Sequence, residues 1–199
     1  MGYILVHSGD TQRTFTREIT LTETETLPAN RFEETFGQPA DRTRKKVRDS
    51  LSQELQDYIS RAPFAVLATS DADGRCDASP KGGKPGFVKI LDDRHLLLPD
   101  VAGNRLFQSY QNIDANAQVG LLFMIPGSDR TVRVNGSARI VDRNELERQE
   151  MNLSVFQPDD KARNLQGLLI EVEEAYGHCP RAYKFSNLWD AETIARNRG

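Results

Sequence analysis

The chain has 199 residues, enough for one domain with an extension, and its 38% hydrophobic and 28% charged content is ordinary for a globular protein in water. Its formal net charge of -3 argues against a nucleic-acid binder, and no apolar run reaches the roughly 18 residues of a membrane span. Cys76 and Cys179 lie far apart without a CxxC spacing, which indicates neither a disulfide framework nor a zinc site. The opening Met1 to His7 is too short and too poor in basic residues for a signal peptide, so a cytoplasmic location is expected.

Residues 1–44 read as an N-terminal extension and 45–199 as the folded domain. Threonine and glutamate alternate from Thr20 to Thr26, a pattern that fits either an arm or a strand that pairs with a second subunit. Phe32 to Pro39 carries two phenylalanines suited to a short turn packed on the domain. Arg42, Arg44, Lys45, Lys46 and Arg48 cluster but are flanked by Asp41, Asp49 and Glu54, which reads as a solvated helix face. Val47, Leu51, Leu55 and Tyr58 then make one apolar stripe of a helix that Pro63 ends.

Phe64 to Thr69 is a short buried strand, and Asp71-Ala72-Asp73-Gly74 is a turn that sends residues 75–81 back antiparallel to it. Phe87 to Leu91 and His95 to Leu98 form a second strand pair, joined at Asp92-Asp93. A helix is expected from about Asn104 to Asn116, with Leu106 or Phe107, Tyr110 and Ile113 facing inward. Val119 to Ile125 is an apolar strand, turned by Pro126-Gly127-Ser128-Asp129. Val132 to Ile140 alternates apolar with polar residues, the period of a strand with one dry face. Asp142 and Glu145 form a helix-capping pair for a helix to about Val155, Leu165 to Val172 is the last strand, and a helix or irregular tail follows. Strands at this spacing, joined by hairpins with helices inserted, predict an α+β fold: a six-stranded, closed antiparallel β-barrel flanked by helices.

The candidate chemistry is anion binding. Lys81 ends a strand just before Gly82 and Gly83, whose missing side chains allow backbone amides to approach a ligand, and Ser79 shares its strand face. Asn104 and Arg105 stand at a helix start, where unpaired N–H groups and the helix dipole favour an anion. Taken singly, Lys81 reads as an exposed strand-end lysine and Arg105 as a solvated first-turn arginine. His178 beside Cys179 looks like a nucleophile pair, but neighbours on a strand face opposite sides, so a catalytic thiol is not expected.

The blocks taken together are more specific. Asp77-Ala78-Ser79-Pro80-Lys81-Gly82, Pro85-Gly86-Phe87-Val88, Leu97-Leu98-Pro99-Asp100 and Gly103-Asn104-Arg105 resemble, in order and spacing, the pyridoxamine-phosphate oxidase-like flavoproteins. The resemblance continues through Asn112-Ile113, Val119 to Gly127 and Arg133 to Ile140, and it covers roughly residues 45–190. It implies a split barrel, FMN as cofactor, and a homodimer with flavin at the subunit interface. It further implies phosphate contacts from Ser79, Lys81 and Gly82 and from Asn104 and Arg105, with Leu98 and Pro99 passing the isoalloxazine ring. Thr131 and Arg133 would reach the ring's polar edge or the ribityl chain, and Lys184 and Trp189 the flavin of the other subunit. Trp189 reads as well as an aromatic cap on the barrel's end. The function so implied is an FMN-dependent oxidoreductase acting on a small organic substrate, with a non-catalytic flavin carrier or sensor as the alternative. No catalytic acid or base is indicated. Haem, for which only His178 offers an axial ligand, and a deazaflavin rank below FMN.

Overall fold

The computed structural model describes residues 31–101, 106–152, 154–159 and 163–198. The described residues divide into two units at the boundary between Pro39 and Ala40. In the first, helix α1 (Arg31–Phe36) leaves Phe32 and Phe36 exposed. The threonine–glutamate alternation lies outside the described residues.

The second unit opens with α2 (Asp41–Arg44) and α3 (Gln53–Arg61). The apolar stripe put the start of α3 too early. Val47 is exposed and Arg48 instead pairs with Ala175 as a single β-bridge, so the helix begins only after Leu51. Leu55, Tyr58 and Ile59 form the buried face of α3, and the chain turns extended at Ala62, the residue before Pro63.

Strands β1 (Phe64–Ser70) and β2 (Cys76–Gly82) form the expected hairpin. Asp71 holds the turn by accepting the amides of Asp73 and Arg75 at 2.9 Å, and Gly74 supplies the positive φ of 80° that the turn requires. β3 (Lys89–Ile90), β4 (His95–Val101), α4 (Gln108–Ala115), β5 (Gln118–Met124) and β6 (Thr131–Asp142) follow. Then come α5 (Arg143–Arg148), β7 (Asn164–His178), α6 (Arg181–Ser186) and α7 (Ala191–Asn197). The Asp142 carboxylate caps α5 by accepting the Glu145 amide at 2.7 Å, but the helix ends at Arg148, well short of Val155. There Met151 turns back to donate to the Leu146 carbonyl, and both side chains pack with Leu97 and Val141 in a small second core. β7 runs on beyond Val172 to His178 because β6 continues to pair with it as far as Thr131.

All seven strands pair antiparallel in the order β2-β1-β5-β6-β7-β4-β3. The architecture is α+β, as expected, but the described residues form seven strands rather than six, and their sheet is not closed: β2 and β3 are its edges. Its inner face carries Ala65, Leu67, Leu96, Leu98, Leu121, Phe123, Val134, Leu168 and Ile170, each at most 1% exposed. Burying a side chain of the larger kind contributes about 1.5–3 kcal/mol. Helix α4 packs on β1, β2 and β6, while α3 packs on β3, β6 and β7.

Candidate functional site

The site follows from a change of character between two paired strands. On β1 the inward residues are Ala65, Leu67 and Thr69, all buried, and their register partners on β2 are Lys81, Ser79 and Asp77. The edge strand therefore turns a cation, a hydroxyl and a carboxylate toward the barrel interior, while Ala78 and Pro80 face out and are exposed. These residues form one wall of a cleft of about 530 Å3. The opposite walls are Phe87, Pro99, Asp100, the start of α4 from Phe107 to Tyr110, and the backbone near Ser154. The volume is in the range of small-molecule sites.

Lys81 and Asp100 close the cleft from two sides. Their strands stand far apart in the sheet order, yet Lys81 Nζ lies 3.1 Å from Asp100 Oδ1, because the sheet curls until its ends approach. Both side chains are largely shielded, 16% and 18% exposed. Asp100 also accepts from the Tyr110 hydroxyl, whose pKa is held well above the ordinary tyrosine value by burial first and then by that carboxylate. Asp77 accepts from Asn112 Nδ2 at 2.8 Å, and the same amide donates to the buried Thr69 hydroxyl at 3.0 Å. That triplet fixes α4 against the β1–β2 hairpin, and with it the helix start that faces the cleft.

The structure brings Ser79, Lys81, Gly82 and Pro99 together in this cleft. Leu98 is not in its wall: it is 1% exposed and belongs to the main core, so only the backbone beside Pro99 passes the cleft. Asn104 and Arg105 lie outside the described residues. α4 begins at Gln108 rather than near Asn104, after Phe107 takes a left-handed conformation with φ of 53°. Gln108 and Ser109 line the cleft, and the first amides of a helix have no intrahelical acceptor. The glycine expectation fails in part. The Gly83 amide donates to the Pro63 carbonyl at 3.0 Å. A side chain at Gly83 would meet Ser154 O at 2.5 Å, so packing requires this glycine.

Thr131, Arg133, Lys184 and Trp189 lie outside this cleft within one chain. Thr131 is buried at the start of β6 and lines a second cleft. Arg133, on the outer face of β6, forms an ion pair with Glu174 at 2.6 Å and covers the Tyr176 ring at 4.5 Å. Lys184 is exposed, with Nζ 4.0 Å from Asp129. Trp189 stacks on Tyr183 with centroids 6.0 Å apart. Arg133 Nε and Trp189 Nε1 are buried donors without an acceptor among the described residues. The sequence reading gives no site role to Asp100, Tyr110 or the Asp77–Asn112–Thr69 triplet. It places Tyr110 only on the inward face of a helix, and Asp77, Asp100 and Asn112 stand in the blocks that carry the resemblance, none of which hints that Asp100 faces Lys81.

Among the described residues there is no cluster of potential metal ligands and no helix long and apolar enough to cross a membrane. No curated protein matches the chain. Among solved structures, a candidate pyridoxamine 5'-phosphate oxidase of Lactobacillus delbrueckii is 23% identical, with a TM-score of 0.49 over 65% of this chain and 95% of that one. HupZ of Group A Streptococcus is 20% identical, with a TM-score of 0.46 over 64% and 93%. An F420 reductase is 22% identical, with a TM-score of 0.39 over 62% and 94%. The family model described as pyridoxamine 5'-phosphate oxidase matches residues 51–179, which span β1 to β7 and every described wall of the cleft. The chain belongs to the pyridoxamine 5'-phosphate oxidase family.

Proposed function

We propose that the protein is an FMN-dependent oxidoreductase, active as a homodimer on a small organic substrate. The observation that carries this reading is the inward-facing pair Lys81 and Ser79, set opposite the first turn of α4 in a cleft of about 530 Å3. A cation, a hydroxyl and unpaired helix amides are the donor set a phosphate ester requires. Phe87, Phe107 and Tyr110 supply apolar and aromatic wall for a planar ring. The residues present fit the cofactor with one discordant group, the Asp100 carboxylate, which competes with a phosphate for Lys81.

In this reading Ser79, Lys81, Gly82, Asn104 and Arg105 hold the phosphate, and Pro99 borders the ring. Thr131, Arg133, Lys184 and Trp189 come from the second copy. Bound flavin supplies the electron transfer, while the chain binds, orients and excludes water. A flavin carrier or sensor is the second reading. It is favoured by the commitment of both acids in the cleft, Asp77 to Asn112 and Asp100 to Lys81.

Titration of flavin-free protein with FMN tests the cofactor. Lys81→Ala should weaken binding by about 1.5–3 kcal/mol, the worth of a charge-assisted hydrogen bond, and unchanged affinity refutes the placement. Anaerobic reduction by nicotinamide cofactors and timed reoxidation separates the two readings: reduction no faster than that of free FMN favours the carrier.

A further inference from the structure

The mouth of the Lys81 cleft differs from its interior. Lys81 is the only lysine or arginine among the described lining residues, and the acids there are engaged: Asp77 accepts from Asn112, and Asp100 faces Lys81 at 3.1 Å. A phosphate seated on Lys81 leaves no counter-charge in that wall for a second anion, which would lose its water without compensation. The rim is apolar instead. Phe87 and Tyr110 are buried, but Phe107 is 38% exposed, and Leu106 beside it and Phe156, next to the lining residue Val155, are more so. Lys84 stays outside the lining, its Nζ 5.8 Å from the centroid of the Phe156 ring.

Two features fix this rim. The Lys84 amide donates to the Ser154 carbonyl at 2.7 Å, which ties the segment bearing Val155 and Phe156 to the chain just after β2. Phe107 is held at the start of α4 in the left-handed region, with φ of 53° and ψ of 19°, where its carbonyl accepts the Tyr110 and Gln111 amides, both at 3.0 Å. A bulky side chain is disfavoured in that conformation, whereas asparagine and glycine adopt it readily. Local stability therefore opposes the residue found, and strain kept at the wall of a cleft points to a use for the side chain. The Phe107 ring meets the Tyr110 ring edge to face at a centroid distance of 6.2 Å, which orients it.

We propose that the mouth of this cleft receives the substrate, and that Phe107 selects there an uncharged, planar, largely apolar molecule. The inference rests on the flavin reading of the cleft, in which the cofactor fills the interior and its phosphate occupies Lys81, leaving the rim to the second ligand. A planar anion of the same outline is rejected because the described lining has no further cation to pair with it. A flexible aliphatic chain forfeits the ring-on-ring contact.

Full-length, FMN-saturated protein is titrated by calorimetry with three probes: 2-naphthol, uncharged at neutral pH, naphthalene-2-sulfonate and 1-octanol. The expected result is saturable binding of 2-naphthol, about tenfold or more tighter than that of either other probe. Phe107→Asn should bind 2-naphthol about fivefold or more weakly while its urea midpoint stays at or above the parent's, and Phe107→Tyr should bind it as the parent does. A smaller preference for 2-naphthol, a Kd for it above about 1 mM, unchanged affinity in Phe107→Asn, or a lowered midpoint in that variant overturns the proposal, the last by making the ring a packing element. FMN affinity is read separately on flavin-free parent protein. Its absence refutes the flavin reading, and the 2-naphthol titrations of the parent and Phe107→Asn still decide the role of the rim.

Discussion

Asp100→Asn separates the two roles of the Lys81 ion pair. In the structure Lys81 Nζ and Asp100 Oδ1 stand 3.1 Å apart, with 16% and 18% of the two side chains exposed. At an effective dielectric constant near 20 the gross attraction at that separation is roughly 5 kcal/mol, most of it offset by the desolvation of both charges. The amide keeps the shape and one acceptor oxygen, but removes the charge. The net loss of stability should be about 1.5–3 kcal/mol, read by urea denaturation of the flavin-free protein. FMN affinity should move the other way. The lysine no longer divides itself between a carboxylate and a phosphate, and one like charge leaves the cleft, a change of about 1 kcal/mol or five- to tenfold in Kd. Fluorescence titration measures it. Asp73→Asn is the control, because its ion pair with Arg75 lies in an exposed turn and should change stability by less than about 0.5 kcal/mol. Weaker FMN binding in folded Asp100→Asn would refute the reasoning by making the carboxylate a positive contact. Unchanged stability would show that the pair contributes nothing.

Gly136→Ala should destabilise the protein by more than about 3 kcal/mol in denaturant melts, since the added Cβ would collide with the Glu171 backbone carbonyl at the β6–β7 bulge, where neither strand can yield. Asn112→Ala strands the buried Thr69 hydroxyl and the Asp77 carboxylate and should cost about 1–3 kcal/mol by the same assay. His178 has its pKa held below the ordinary histidine value by burial and then by Arg133 and Lys46, so the unfolded chain takes up its proton first. Its contribution to stability is therefore present above the ordinary value of 6.5 and is lost as pH falls below it. His178→Gln should flatten that part of the stability–pH curve, and an unaltered slope would contradict the assignment.

What the sequence made legible is what local pattern dictates. The β1–β2 turn was readable from Asp71 to Gly74, and the alternation of β6 from Val132 to Ile140, because both are set by neighbours in the chain. Boundaries set by distant partners were not. Val47 fits the helical stripe of α3, but Arg48 finds a better partner in Ala175, far along the chain. The end of β7 depends on β6, and the end of α5 on a pocket beside Leu97 and Val141. Barrel closure depends on whether the two edge strands meet, which no strand states for itself. The site divides along the same line. Ser79 and Lys81 were readable from one strand's alternation, whereas Asp100 enters the cleft only because the sheet curls.

The central claim is that the Lys81 cleft recognises a phosphorylated flavin, and paired titrations of flavin-free protein with FMN and riboflavin test it most directly. The account predicts that FMN binds at least tenfold more tightly, the worth of roughly one charge-assisted phosphate contact, and that Lys81→Ala narrows the gap. Equal affinity for the two flavins, or no binding of either by folded protein, would contradict it.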